Sequence, residues 1–258
     1  MTDAHTRKVQ EQFGRATAEY VASAGHAGGD DLQTLVTWGR ARRPSTVLDV
    51  ATGGGHTARA FAAFAHEVVA YDVTEPMLAA ARAFVTGQGI DNVRYVAGDV
   101  ATLPFADGVF DLVTCRIAAH HFAEPAAAVR EVRRVLRAGG TFLVEDILGH
   151  DDGDANAFIR EVERRRDPSH VRAYRGAEWN AFLRAAGLTV MEQATLAKTR
   201  AWDEWTGRTK MTADARAELE DFVRQAPERL RVAFDFRIGE AAVQAFTDRM
   251  LLLRAERD

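Results

Sequence analysis

Thr46-Val-Leu-Asp-Val-Ala-Thr-Gly-Gly-Gly-His56 decides how this chain is read. A β-branched run closes at Val50, three glycines stand at 53 to 55, and an alanine-rich stretch opens at His56. Strand, tight turn and helix follow in that order, and the missing side chains let a ligand lie against the backbone. Taken alone, the glycines fit two readings: a flexible strand-to-helix turn, or the floor of a nucleotide-type site.

On the far side of the turn, β-branched runs at Glu67–Asp72, Val93–Ala97, Phe110–Arg116 and residues 141–147 alternate with helical patterns at residues 56–65, 75–88 and 126–137. Strands apolar on both faces predict a parallel sheet covered by helices on both sides. Pro76 and Pro125 stand where a first helical turn tolerates proline, and Gly139-Gly140 reads as the stop of the third helix. Before this core, residues 7–21 and 30–42 read as two helices separated by the glycine-bearing stretch 24–29. After it come a helix at 176–186, a strand at 188–197, a helix or broken helix at 201–225, and a last strand at 249–254. The expected fold is α/β and Rossmann-like, with a mostly parallel seven-stranded sheet. Residues 1–258 are read as a single domain, divided into a helical cap (1–43), a ligand-binding core (44–150) and the remaining sheet (151–258). A helical insertion at about 199–240 interrupts that last part, and its stretch 202–236 is the expected lid or substrate cover.

Composition narrows the class. At 258 residues, 47% hydrophobic and 27% charged, the chain is an ordinary folded protein rather than a disordered one. Its formal charge of -4 lacks the broad positive field that nucleic acids require. Cys115 is the sole cysteine, which excludes an internal disulfide and a cysteine zinc cluster; inside an apolar strand it is read as a buried thiol. The first eight residues are polar and charged, so no secretory signal is expected, no stretch is long enough to span a bilayer, and the expected location is the cytoplasm.

Three acids give the turn its chemistry. Asp49, Asp72 and Asp99 stand at the carboxyl ends of the first three predicted strands, the edge where open parallel sheets bind ligands. Singly, each is also readable as a helix cap or a solvated turn acid. A loose Gly53-x-Gly55-x-x-Ala58 pattern with Asp72 beyond it admits a nicotinamide dinucleotide. Asp49 argues against that, since a carboxylate so near the turn repels a pyrophosphate. S-adenosylmethionine has no phosphate and carries a sulfonium and an ammonium. Asp72 would then accept from the ribose hydroxyls, and Asp99 from the adenine amino group.

With these residues go Val69-Ala-Tyr-Asp72, Gly98-Asp-Val100, Leu103-Pro-Phe-Ala-Asp-Gly-Val-Phe-Asp-Leu-Val113 and Val135-Leu-Arg-Ala-Gly-Gly-Thr141. Together, over about residues 9–147, they resemble the ordered motifs of class I S-adenosylmethionine-dependent methyltransferases, nearest the ubiquinone and menaquinone methyltransferase-like group. The resemblance implies that Asp49, Ala51, Gly53 and Gly55 surround the methionine part and Asp72 the ribose. It places Val73, Met77, Asp99 and Val100 at the adenine, makes Gly98, Arg116 and Ala118 cofactor neighbours, and closes Tyr20 of the entrance helix over the ligand. S-adenosylhomocysteine would be the product. Ala51 stands where the general motif has glycine, as in quinone-type members.

His120 and His121, in Arg116-Ile-Ala-Ala-His-His-Phe122, are the ionisable groups best placed to meet a substrate, and either could take a proton from an acceptor. Structural hydrogen bonding is their other reading. His56, Glu145 and Asp146 are lesser candidates, and adjacent histidines do not make a metal site. Trp202 and Trp205 could stack on a flat substrate but more often fill a core at this spacing, and Arg164-Arg-Arg166 reads as a solvated helix face. The expected activity is methyl transfer to carbon, oxygen or nitrogen of a small molecule, quinone-like among the choices. A nicotinamide oxidoreductase and a binding protein without turnover are the alternatives. Assembly as a homodimer is left open.

Overall fold

In the computed structural model, which describes residues 4–240 and 242–258, four helices open the chain: α1 (Ala4–Gly14), α2 (Thr17–Val21), α3 (Ala24–Ala27) and α4 (Asp30–Ala41). The core follows as β1 (Thr46–Val50), α5 (His56–Ala62), β2 (Glu67–Asp72), α6 (Glu75–Thr86), β3 (Val93–Ala97), β4 (Phe110–Arg116), α7 (Pro125–Val135) and β5 (Leu136–Ile147). Then come α8 (Gly153–Arg166), α9 (Gly176–Ala185), β6 (Leu188–Ala201), α10 (Trp202–Arg208), α11 (Ala213–Gln225), α12 (Glu228–Ala233), β7 (Arg237–Ile238) and β8 (Val243–Arg257).

The sheet runs β3-β2-β1-β4-β5-β8-β6, with the two-residue β7 added on β8. The seven expected strands make the path and β7 is an eighth. β1 to β5 are parallel, while β8 pairs antiparallel with β5 and β6. The order reverses at β1, which lies between β2 and β4, and the crevice such a reversal opens is where ligands of this architecture sit.

Side chains alternate across the sheet. Leu48, Val50, Val113 and Cys115 face α7 and α9 through Val129, Val132, Trp179 and Leu183. Val47, Leu112 and Leu143 face α4 and α5 through Leu35, Ala58 and Phe61. Each fully buried Val or Leu contributes about 1.5–3 kcal/mol, so both helical layers are held mainly by these strands. Cys115 is buried, as read.

Several expectations change. The helix expected over 7–21 is two, α1 and α2, and the stretch read as a linker contains α3. α7 ends at Val135 and β5 starts at once, so Gly139-Gly140 lies inside β5 rather than ending the helix. α8 went unread, although Asp152 caps it by accepting from the Ala155 N–H at 2.8 Å. β6 and β8 are far longer than read. Trp202 and Trp205 sit with Phe158, Leu219, Val223 and Phe246 in a third apolar cluster, which takes them away from any substrate. Arg166 is buried rather than solvated: its guanidinium lies 4.4 Å from the Trp205 ring and its Nε donates to the Trp205 carbonyl at 2.9 Å. Among the described residues, no helix is long and apolar enough to cross a membrane.

Candidate active site at the carboxyl edge of the sheet

The glycine turn is built from three different demands. Gly53 has φ +54 and open space where a Cβ would stand. A Cβ on Gly54 would lie 3.1 Å from the Tyr20 carbonyl oxygen, so α2 is seated directly on the turn. One on Gly55 would meet Ala81 at 3.1 Å, and this glycine serves the packing of α6. Ala51 (φ +52) and Ile117 (φ +53), just past β1 and β4, also hold left-handed backbone. Strain of that kind costs of order 1–3 kcal/mol per residue and gathers where backbone must face a ligand.

Asp49 does not reach the cavity. Its buried carboxylate accepts from Thr52 Oγ1 at 2.6 Å, Thr114 Oγ1 at 2.6 Å and the Ala58 N–H at 3.1 Å. Burial pushes its carboxyl up to about 6 against those three donors. It ties β1, β4, the turn and the first turn of α5 together from behind. Of the residues expected around a methionine part, Asp49 and Gly55 do not line the cavity, and Asp49 spends its carboxylate on the protein itself.

Asp72 faces the cavity and orders its rim. One carboxylate oxygen accepts from the Gly53 N–H at 3.0 Å and the other from the Thr74 N–H at 2.9 Å. A carboxylate has about four acceptor positions, so these two bonds do not exhaust it. Burial raises the group, opposed by these backbone donors. Asp99 is exposed, accepts from the Ala101 N–H at 2.9 Å, and its carbonyl takes the Tyr71 hydroxyl at 3.0 Å. A Cβ at Gly98 would lie 2.1 Å from that hydroxyl, which is why glycine precedes Asp99.

Above this edge lies a cavity of about 220 Å³. Its floor holds Ala51, Gly53, Asp72, Val73, Met77, Gly98, Asp99, Val100, Arg116 and Ala118, so eleven of the thirteen expected ligand residues meet there once Tyr20 is added. Its roof is the N-terminal cap, through Val9, Phe13, Tyr20 and His26. The 199–240 insertion supplies none of the lining; it braces the cap from outside, where Lys210 donates to the Arg15 carbonyl at 2.6 Å and pairs with Glu19 at 3.0 Å.

The two adjacent histidines part company. His120 is turned inward: Nδ1 donates to Asp146 Oδ1 at 2.5 Å, and the His120 N–H donates to Oδ2 at 2.8 Å. Burial opposes its protonation, and the Asp146 carboxylate outweighs burial and raises it. His121 lines the cavity, its ring edge-on to Phe13 at 5.0 Å. Ser169 donates to Asp167 Oδ1 at 2.5 Å, and its oxygen lies 3.2 Å from His121 Nδ1, so it accepts the Nδ1 proton. That assignment leaves Nε2 as a bare base. Burial, then the neighbouring His120, lowers His121 below the ordinary histidine range.

Arg116 is the polar hub that sequence reading named without its partners. It is 3% exposed and pairs with Glu145 at 2.7 Å and Asp31 of α4 at 2.8 Å, and it donates to the His26 carbonyl at 2.9 Å. Lys198 of β6 donates to the same Asp31 oxygen, Oδ2. Burial opposes it, yet the Arg116 guanidinium holds the Asp31 carboxyl well below its ordinary range. Of the lesser candidates, Glu145 and Asp146 are spent on Arg116 and His120, and His56 lines the cavity with Nε2 3.2 Å from the Tyr20 carbonyl.

Comparison with known proteins places the chain among the methyltransferases. The family described as "Methyltransferase domain" matches residues 48–144. YcgJ of Bacillus subtilis, named an uncharacterized methyltransferase, is 36% identical over 208 residues, 81% of this chain and 82% of its own. A solved protein of Bacillus halodurans C-125 is 40% identical, covers 89% of this chain and 99% of its own, and superposes with a TM-score of 0.85. The ubiquinone/menaquinone biosynthesis C-methyltransferase UbiE of Escherichia fergusonii is 38% identical over 107 residues, 40% of this chain and 43% of its own.

Proposed function

The chain belongs to the S-adenosylmethionine-dependent methyltransferases, and we propose that its cavity binds the donor against Gly53 and Asp72 and methylates a small molecule held beneath the N-terminal cap. One observation carries the reading: an acid with free acceptor positions, Asp72, and a side-chain-free backbone, Gly53, share one floor at the point where strand order reverses. The residues suit the donor. Asp72 would accept from ribose hydroxyls, Val73, Met77 and Val100 form an apolar wall for adenine, and Asp99 stands at its rim. When bound, S-adenosylmethionine supplies a methyl group already activated by its sulfonium.

What the chain's own groups contribute is alignment, exclusion of water and, where the acceptor carries a proton, a base. Phe13 and Tyr20 close the roof, with ring centroids 5.1 Å apart. His121 lines this space, and its Nε2, 4.0 Å from Asp167 Oδ2, is the atom left to take the proton; Ser169, held by Asp167, fixes the tautomer. The likeness to UbiE, named a C-methyltransferase, supports carbon as the atom methylated.

Calorimetry should show binding of S-adenosylhomocysteine and none of NADH; the reverse result overturns the reading. With labelled donor and a cell extract, His121→Gln should lower label transfer at least tenfold at neutral pH, while His120→Gln lowers stability more than the turnover of the folded fraction. Equal losses of turnover would remove the base assignment.

A further inference from the structure

His26 lies on α3, in the stretch read from sequence as a linker, and its role is set by what meets its ring. Nδ1 is 2.9 Å from Ser23 Oγ and 3.4 Å from Arg208 Nη1. A guanidinium only donates, so Nδ1 accepts and the ring proton is on Nε2. His26 lines the cavity, beside Tyr20 and Arg116. The Nδ1 edge is the one occupied by protein, which leaves the Nε2–H edge for the cavity.

Arg208 gives that donor its strength. Its side chain is 8% exposed, Nε has no partner, and its nearest carboxylate, Glu204, is 3.6 Å away and more than half exposed. The other cations near His26 are matched: Arg116 by Asp31 and Glu145, Lys198 by Asp31, Arg200 by Asp248 at 2.9 Å. Among the described residues, the hydrogen-bond acceptor within 3.5 Å of Arg208 is His26 itself. A donor chain running from a buried cation through an imidazole polarises the terminal N–H and makes it a stronger donor. Burial, then Arg208 and the other cations, keeps the imidazole neutral well below its ordinary range, so Nδ1 stays an acceptor throughout the physiological span.

We infer that His26, polarised by Arg208, is an oxyanion-binding residue of the cavity. Its ligand is a carboxylate or enolate oxygen, carried by the donor's amino-acid end or by the methyl acceptor. Resting on the donor assignment above, the inference is separable from it. In ¹⁵N-histidine-labelled protein, His26 should show the Nε2–H tautomer from pH 5.5 to 8, whatever binds; an Nδ1–H tautomer overturns it. Two binding arms name the source. In the first, S-adenosylhomocysteine is compared with methylthioadenosine, which lacks the carboxylate. In the second, benzoate is titrated into protein saturated with S-adenosylhomocysteine.

His26→Phe should weaken S-adenosylhomocysteine or benzoate at least tenfold with methylthioadenosine unchanged. Arg208→Met should weaken the same ligand about threefold, and His26→Gln, which keeps a donor N–H, should lie between. The inference is overturned if folded His26→Phe, checked by its unfolding midpoint, binds both oxyanions within twofold of wild type, or loses methylthioadenosine equally. Failure of the wild type to bind either nucleoside would instead strike the donor assignment.

Discussion

The floor and the roof of the cavity are tied in opposite ways. On the floor, the acids accept from neutral hydroxyls and backbone N–H groups of the core strands and turns: Asp49 from Thr52, Ala58 and, 65 residues on, Thr114, Asp72 from Gly53 and Thr74, and Asp99 from Ala101. The roof is fastened to the rest of the chain by charge: Asp31 pairs with Arg116 and Lys198, at separations of 85 and 167, with Gln10 donating to the Val73 carbonyl beside them. A floor held by hydrogen bonds inside the core sheet depends on the sheet itself. A roof resting on a few buried ion pairs is secure while they hold and loses much when one partner goes.

The sharpest break is therefore Asp31→Ala. It leaves Arg116 and Lys198 facing each other without their shared carboxylate, and breaking a buried pair costs about 3–5 kcal/mol. Urea unfolding should show the loss, and hydrogen exchange should rise first in α1 to α4 while β1 to β4 stay protected. A cost below about 1 kcal/mol, or uniform exchange across both regions, would erase the distinction between floor and roof.

Asp49→Asn tests the floor. An amide cannot accept from all three of the donors that now converge there, and one buried donor left facing its NH₂ group costs about 2–3 kcal/mol. Unfolding midpoints with an unchanged denaturant slope would record it. If the variant matched wild type, Asp49 would not be the tie that joins β1, β4 and the turn.

How much of this was legible in sequence follows the same division. Asp72, Asp99 and the glycines stand at strand ends and in the turn that follows the first strand, so position along the chain disclosed them. Asp49 was found for the wrong reason, since position could not show its carboxylate turning toward Thr114. His26, Asp31 and Arg208 escaped attention because each acquires meaning from a residue more than eighty positions away, as with Arg116 and Asp31. The C-terminal strands were misjudged in length for a related reason. In β8, Asp248 and Arg254 look like solvent-facing breaks, yet Asp248 is buried against Arg200 and Arg254 pairs with Glu192. Local signals did exist for α8, in the Asp152 cap, and for the split of α1 from α2, in Gly14.

A milder probe is pH, because it reaches the join between the two regions. Burial pushes the Glu145 carboxyl up to about 7 in spite of Arg116. The folded protein then holds a proton that the unfolded chain releases near 4.5. Stability from this group is full below about pH 4.5, falls as pH rises toward 7, and levels off above it. Glu145→Gln should remove this slope, so the gap between wild type and variant should change by about 2 kcal/mol between pH 5 and 7 in urea titrations. A constant gap would mean that Arg116 keeps Glu145 ionised, and that the roof is anchored by two full charges rather than by Asp31 and a shared proton.

The smallest effects separate two acids on the floor itself. Asp72 is buried and gives one oxygen to each of two backbone N–H groups, whereas Asp99 is exposed and holds one. Asp72→Asn replaces a charged acceptor at the cavity with a neutral amide, and S-adenosylhomocysteine binding should weaken by about 1–2 kcal/mol. For Asp99→Asn the amide oxygen can still accept from Ala101, and water screens the lost charge, so the loss should be about 0.5–1 kcal/mol. Added salt should shrink the Asp99 effect and leave the Asp72 effect intact. If salt reduced both alike, Asp72 would be acting through long-range charge, and the floor would owe its selectivity to field rather than to the placement of individual acceptors.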